Sequence, residues 1–232
     1  MRPLSDLPRS WPAIELPGYR EHPTGYATYS GFAYDELPPI ARELDVGLRW
    51  LLHEPPVRAS LAAVDEAAST PATVDGLQRV AGATIVLPRA FVIFIGSDEP
   101  QARVRSCTDC YLDLGDFAVP VADGGALIHF LSDSQWVLHW LLYVSPNGSE
   151  AVVATDRSLG FELGEDEEGE TLRMFDPASG EAAVCAESFT EFLYRFWIEN
   201  EIWFKLADPD EPAALSPEQL RYAEHYARRT QP

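Results

Sequence analysis

The sequence predicts an α+β fold: a mostly antiparallel sheet built on a central aromatic hairpin, with helices packed on it and extra helices on its N-terminal side. Three observations predict it. Apolar residues recur at helical spacing between positions 40 and 80. Strand-like segments crowd into residues 108–154, where Asn147-Gly148 separates two apolar runs. A long aromatic segment opening with the capping spacing Ser188-x-x-Glu191 then closes the domain as a helix.

Residues 1–34 are rich in proline, glycine and tyrosine and lack sustained periodicity. They read as an irregular arm whose Trp11, Tyr19, Tyr26, Tyr29 and Phe32 pack onto the body. Ile40, Leu44, Leu48, Leu51 and Leu52 predict a helix with Pro38 and Pro39 in its first turn, stopped at Pro55-Pro56, where no backbone N–H is available. Val57, Leu61 and Val64 predict a second short helix, and Val74, Leu77 and Val80 a third. Ile85 to Leu87 is extended, since the residue before Pro88 is pushed out of the helical region, and Pro88 starts a helix carrying Phe91, Phe94 and Ile95 on one side. GALIHFL around Ala126 to Leu131 reads as a strand. Trp136 to Val144, broken only by His139, reads as a strand apolar on both faces, central in a sheet covered by helices. A type I′ turn at Asn147-Gly148, with positive φ at both residues, joins it to Glu150–Ala154. The closing helix runs to about Leu206, DPDEPAALSP is a linker, and Ser216-Pro217-Glu218-Gln219 starts a polar C-terminal helix. The division that follows is an arm over 1–34, one domain over 35–206, and a linker and helix over 207–232.

Of the 232 residues, 37 are acidic and 17 basic, a formal charge of −20. Such a surface repels nucleic acid and anionic membranes and attracts basic partners. Nothing near the start resembles a signal peptide, and no apolar run approaches the ~20 residues of a membrane span. Three cysteines are too few for a disulfide scaffold, so the expected compartment is a reducing cytoplasm.

Candidate chemistry is sparse. Cys107 and Cys110, in CTDC, have the spacing of a redox pair or of half a zinc site. A redox pair starts a helix, whereas this one leads into the strand-like YLDL, so two structural thiols are the expectation. Asp133-Ser134-Gln135 lacks the glycine elbow of a nucleophile and reads as a turn or strand entrance. His129 and His139 are too far apart to be paired by spacing, and the five histidines form no metal motif. Residues 162–170, ELGEDEEGE, miss calcium-loop spacing. Their carboxylates (Glu162, Glu165, Asp166, Glu167, Glu168 and Glu170) are candidates for binding a protein partner.

LPRAFVIFI at 87–95, TDCYLDL at 108–114, FLSDSQWVLHWLLYVSPNG at 130–148, AVVAT at 151–155 and SFTEFLYRF at 188–196, in this order, resemble the SUKH superfamily and its bacterial relatives of yeast cell-wall-assembly regulators. The likeness covers residues 74–206. It implies an α+β domain with a mixed sheet, no catalysis and no cofactor. It also implies a role as an immunity protein that binds a cognate secreted toxin, often a nuclease. The acidity fits, because a nuclease toxin needs a basic surface to hold nucleic acid. A regulatory scaffold, or a thiol or zinc protein using Cys107 and Cys110, is the alternative. The partner's identity and the oligomeric state leave no mark in the sequence.

Overall fold

In chain order the strands are β1 (Ser10–Ala13), β2 (Ser30–Ala33), β3 (Tyr111–Leu112), β4 (Val119–Pro120), β5 (Ala126–Ser132), β6 (His139–Val144), β7 (Glu150–Thr155) and β8 (Ala182–Ala186). The helices are α1 (Arg49–Leu52), α2 (Val74–Ala81), α3 (Arg89–Ile95), α4 (Asp98–Gln101), α5 (Phe189–Ala207) and α6 (Pro217–Ala227). The computed structural model describes residues 4, 7–22, 27–63, 74–115, 117–121, 123–156, 182–210 and 213–228. None of its helices is long and apolar enough to cross a membrane, among the described residues.

The main sheet runs β3-β5-β6-β7-β8, with β4 sharing the β3 edge of β5. Every ladder between these strands is antiparallel, and a parallel bridge from Arg9 to Val184 ties the arm to β8. Side-chain alternation sorts the strands into two faces. Phe130, Trp140, Leu142, Val152 and Cys185 meet the helices, while Leu127, Leu141, Tyr143 and Val153 face the other way and pack with Leu4 and Leu7. Both faces are covered, which is why β6 is buried at every position. On the helix side, Phe189 packs edge-on to Phe91 and Phe130 at 5.1 and 5.5 Å, and Phe192 to Phe130 at 5.4 Å. Each such pair contributes about 0.5–1.5 kcal/mol beyond burial.

The α+β architecture is as expected; several local expectations are not. β6 begins at His139, not Trp136. Ser132 pairs with His139, so residues 133–138 are consumed by the connection, and Trp136 sits at φ +59°. The following turn is not type I′. Pro146-Asn147-Gly148 forms a three-residue loop with Gly148 N donating to Ser145 O at 3.0 Å, and its positive φ falls on Gly148 alone, at +84°. The helix expected from Ile40 shrinks to the single turn of α1. Asp45 accepts from Gly47 N at 2.9 Å and Leu48 adopts φ +56°, so a local turn replaces helical bonds while Leu48 and Leu51 still reach the core. The helix expected around Leu61 is a 3₁₀ turn, Leu61–Ala63; its Val64 lies outside the described residues. In the arm, β1 and β2 pair as a two-stranded ladder.

α5 is buried almost all round, through Ile202. Ser188 caps it by accepting from Glu191 N at 3.1 Å. A helix enclosed this way carries charge only where each charge is paired. Glu191 pairs with Arg195 at 2.9 Å, and Glu201 with Arg105 at 2.7 Å. Glu199, side chain 2% exposed, accepts from Arg20 at 2.6 and 2.9 Å, Trp11 Nε1 at 3.0 Å, Tyr222 at 3.1 Å and Tyr226 at 3.0 Å. Arg20 and Trp11 belong to the arm and the tyrosines to α6, so one carboxylate joins three segments. A second clamp holds α6 to the 42–54 stretch: Arg42 bonds both oxygens of Glu218 and reaches Glu54, and Tyr194 donates to Glu218 at 2.9 Å. α6 starts with the full capping box expected at Ser216 and Gln219.

Two outcomes are expected. Glu199→Ala strands Arg20 in the interior and costs about 3–5 kcal/mol of stability. Arg9→Ala, at the exposed Arg9–Glu187 pair, costs under about 1 kcal/mol. Urea denaturation distinguishes them, and equal losses would contradict this assignment. For Glu218, burial alone would raise the carboxyl, but hydrogen bonds from Arg42 and Tyr194 outweigh it and hold the group below its ordinary 4.5. A depressed value means the stabilisation is complete above 4.5 and is lost as pH falls through the folded-state value. The stability gap between the parent and Glu218→Gln should therefore narrow as pH falls below about 4.5 in urea midpoints. A gap independent of pH would remove this role from Glu218.

Candidate functional site

β5 ends, β6 begins, β7 ends and β8 begins at one end of the sheet, where Ser132, His139, Thr155 and Ala182 succeed one another across the ladders. β3 starts there as well, with Tyr111 opposite Ser132. The loop before β3 and the 133–138 loop therefore lie side by side, and Ser134 Oγ donates to Thr108 O at 3.2 Å.

Asp133 organises this end. It is 1% exposed, its N donates to Leu138 O at 2.9 Å, and its carboxylate accepts from Gln135 N at 2.9 Å and from Tyr29 OH at 2.8 Å. The expected turn role of Asp133-Ser134-Gln135 is thus what these atoms do. The same tyrosine lies 2.7 Å from Thr108 Oγ1, which fastens the arm to both loops. With its base held, the loop projects Trp136 and Val137, 45% and 46% exposed. Beside them an open groove of about 300 Å³ is lined by Tyr29, Gly31, Leu138, Thr155, Asp156 and Ala182, among others.

The cysteines of CTDC are held in this framework as free thiols. Cys107 N donates to Asn200 Oδ1 at 2.7 Å, and Cys110 Sγ lies 3.3 Å from Thr108 Oγ1. Burial pushes the Cys110 thiol up to about 11, against hydrogen bonds from Ser106, Thr108 and Tyr29 that favour the thiolate. Cys107 is raised too, by burial first and then by the neighbouring Cys110. A thiol activated for attack is shifted the other way.

The histidines that sequence spacing left apart are together. Their rings are 5.3 Å apart, and both meet the Ser132 hydroxyl: His129 Nε2 at 2.9 Å and His139 Nδ1 at 2.7 Å. Ser132 also donates to Asp113 Oδ2 at 2.7 Å. A bulge between His129 and Leu131 makes this possible. Three residues apart in a regular strand, His129 and Ser132 would lie on opposite faces; the extra residue, Phe130, resets the alternation and puts both on the face away from the helices. Burial lowers both histidines below their ordinary value, against the charge of Asp113. Asp113, His129 and His139 are also the group, among the described residues, whose side chains could hold a metal ion.

Glu162, Glu165, Asp166, Glu167, Glu168 and Glu170 lie outside the described residues. The chain bearing them joins Asp156 to Ala182, which line the groove. The Ser132 cluster went unread because its signal is a hairpin register with a bulge: pairing GALIHFL with the following run would have set the two histidines near one another. The pairing of Glu199 and Glu201 had no local signal. Compared with known proteins, the chain matches no family model, no curated protein and no solved structure.

Both CTDC thiols should react slowly with iodoacetamide in the folded protein at neutral pH and rapidly in urea. Fast labelling of native Cys107 or Cys110 would restore a thiol chemistry to this loop.

Proposed function

We propose that this chain is a non-enzymatic protein-binding domain: a SUKH-type immunity protein that works in the cytoplasm and neutralises a cognate toxin by forming a tight one-to-one complex. The reading rests most on the Trp136–Val137 tip, an exposed apolar pair on a loop whose base is fixed by Asp133 and Tyr29. Tryptophan anchors on rigid supports dominate protein interfaces, because their large apolar area is buried at little cost in ordering. The chain's charge of −20 supplies the second component. A toxin that holds nucleic acid is basic, and opposite charge speeds encounter and selects the partner. The acidic stretch 162–170 belongs to the segment that joins Asp156 to Ala182. The three thiols are free, as a reducing compartment keeps them, and burial leaves them poorly suited to catalysis.

The test begins with capture of partners by the tagged chain, then co-expression of a recovered basic partner with and without the chain. The partner alone should arrest growth, and the chain should relieve the arrest. With the purified pair, association should slow by about tenfold or more as salt rises from low to high ionic strength. Trp136→Ala should weaken binding roughly 30-fold, or about 2 kcal/mol, mainly by faster dissociation. Several weak partners and no effect on growth would mark a regulatory scaffold instead.

A further inference from the structure

We infer that Asp113, His129 and His139 form a binding site for one zinc ion, with the Ser132 hydroxyl as its fourth neighbour. The donor set is two imidazole nitrogens and one carboxylate oxygen. That suits a borderline transition-metal ion, whereas calcium and magnesium require more oxygens than this pocket offers. The three ligand atoms lie within 4.8 Å of one another, and Asp113 Oδ2 is 3.7 Å from His129 Nε2. Tetrahedral zinc, with bonds of 2.0–2.1 Å, sets its ligand atoms about 3.3 Å apart. The ligand atoms therefore need to close on one another by up to about 1.5 Å.

Ser132 Oγ lies 2.7 Å from Asp113 Oδ2, 2.9 Å from His129 Nε2 and 2.7 Å from His139 Nδ1, so the three candidate ligands converge on one point.

Asp113 sets a carboxylate beside both rings, the one negative charge of the donor set. The three ligands come from the exit of β3, the bulge of β5 and the first residue of β6, and both histidines and Ser132 are buried. Such a site is structural: it staples the β3 edge to the hairpin that carries Trp136, whose ring lies 6.0 Å from that of His139.

The full chain, stripped with a chelator and dialysed, should take up one zinc per chain by calorimetry and elemental analysis, with a rise in melting temperature. Loaded with Co²⁺, it should show intense visible bands of a tetrahedral site without a thiolate charge-transfer band, a readout that needs no variant. His139→Gln and Asp113→Asn should weaken zinc binding by about 100-fold or more, and the Cys107→Ser/Cys110→Ser double variant should bind as the parent does. Absence of stoichiometric zinc uptake overturns the assignment, as does uptake that survives His139→Gln or is lost with the cysteines. In those cases the cluster is a hydrogen-bond hub alone.

Discussion

Glu199 sits in the middle of α5, and the donors that reach its carboxylate come from the arm, through Trp11 and Arg20, and from α6, through Tyr222 and Tyr226. A charge this deep is tolerable only when its lone pairs are occupied, because water is not there to replace a missing donor. That requirement couples the three segments. If the arm detaches, Glu199 loses both Arg20 and Trp11; if α6 detaches, it loses two hydroxyls.

The arm positioned in this way does more than cover α5. Tyr29 precedes β2, and its hydroxyl meets Thr108 and Asp133, so the network that seats the arm also fixes the two loops at the end of the sheet. Asp133 in turn sets the path of the connection that carries Trp136 into solvent. The base of the tip is thus tied by a chain of contacts that begins at the centre of α5. On the other face of the same hairpin, the bulge at Phe130 gathers His129, Ser132 and His139 with Asp113, so both polar clusters of the hairpin depend on one register.

Much of the architecture was legible in the chain. The closing helix, its Ser188 cap, the Ser216–Gln219 capping box, the GALIHFL strand and the burial of His139–Val144 on both faces all follow from local pattern, because capping and alternation act over a few residues. The stretch from Ile40 to Leu52 was misleading for the same reason. Its leucines have helical spacing, but the Asp45 side chain captures the backbone at Gly47, and tertiary packing places Leu48 and Leu51 without a long helix. Trp136 was assigned to a strand because hydropathy does not distinguish a buried tryptophan from one lifted out by a positive φ.

The sequence by itself determined the α+β class, the strong negative charge, the succession of the GALIHFL strand, the following hairpin and the closing helices, and the caps that start α5 and α6. Each is either a composition or an interaction between residues within about one helical turn. Tertiary structure alone decided which charges pair, where the histidines meet and which aromatic stays outside. Arg20 and Glu199 are brought together by folding across most of the chain, and no local spacing encodes that closure. One inserted residue in a strand reverses its faces, so the meeting of His129, Ser132 and His139 depends on a register that only the assembled sheet selects.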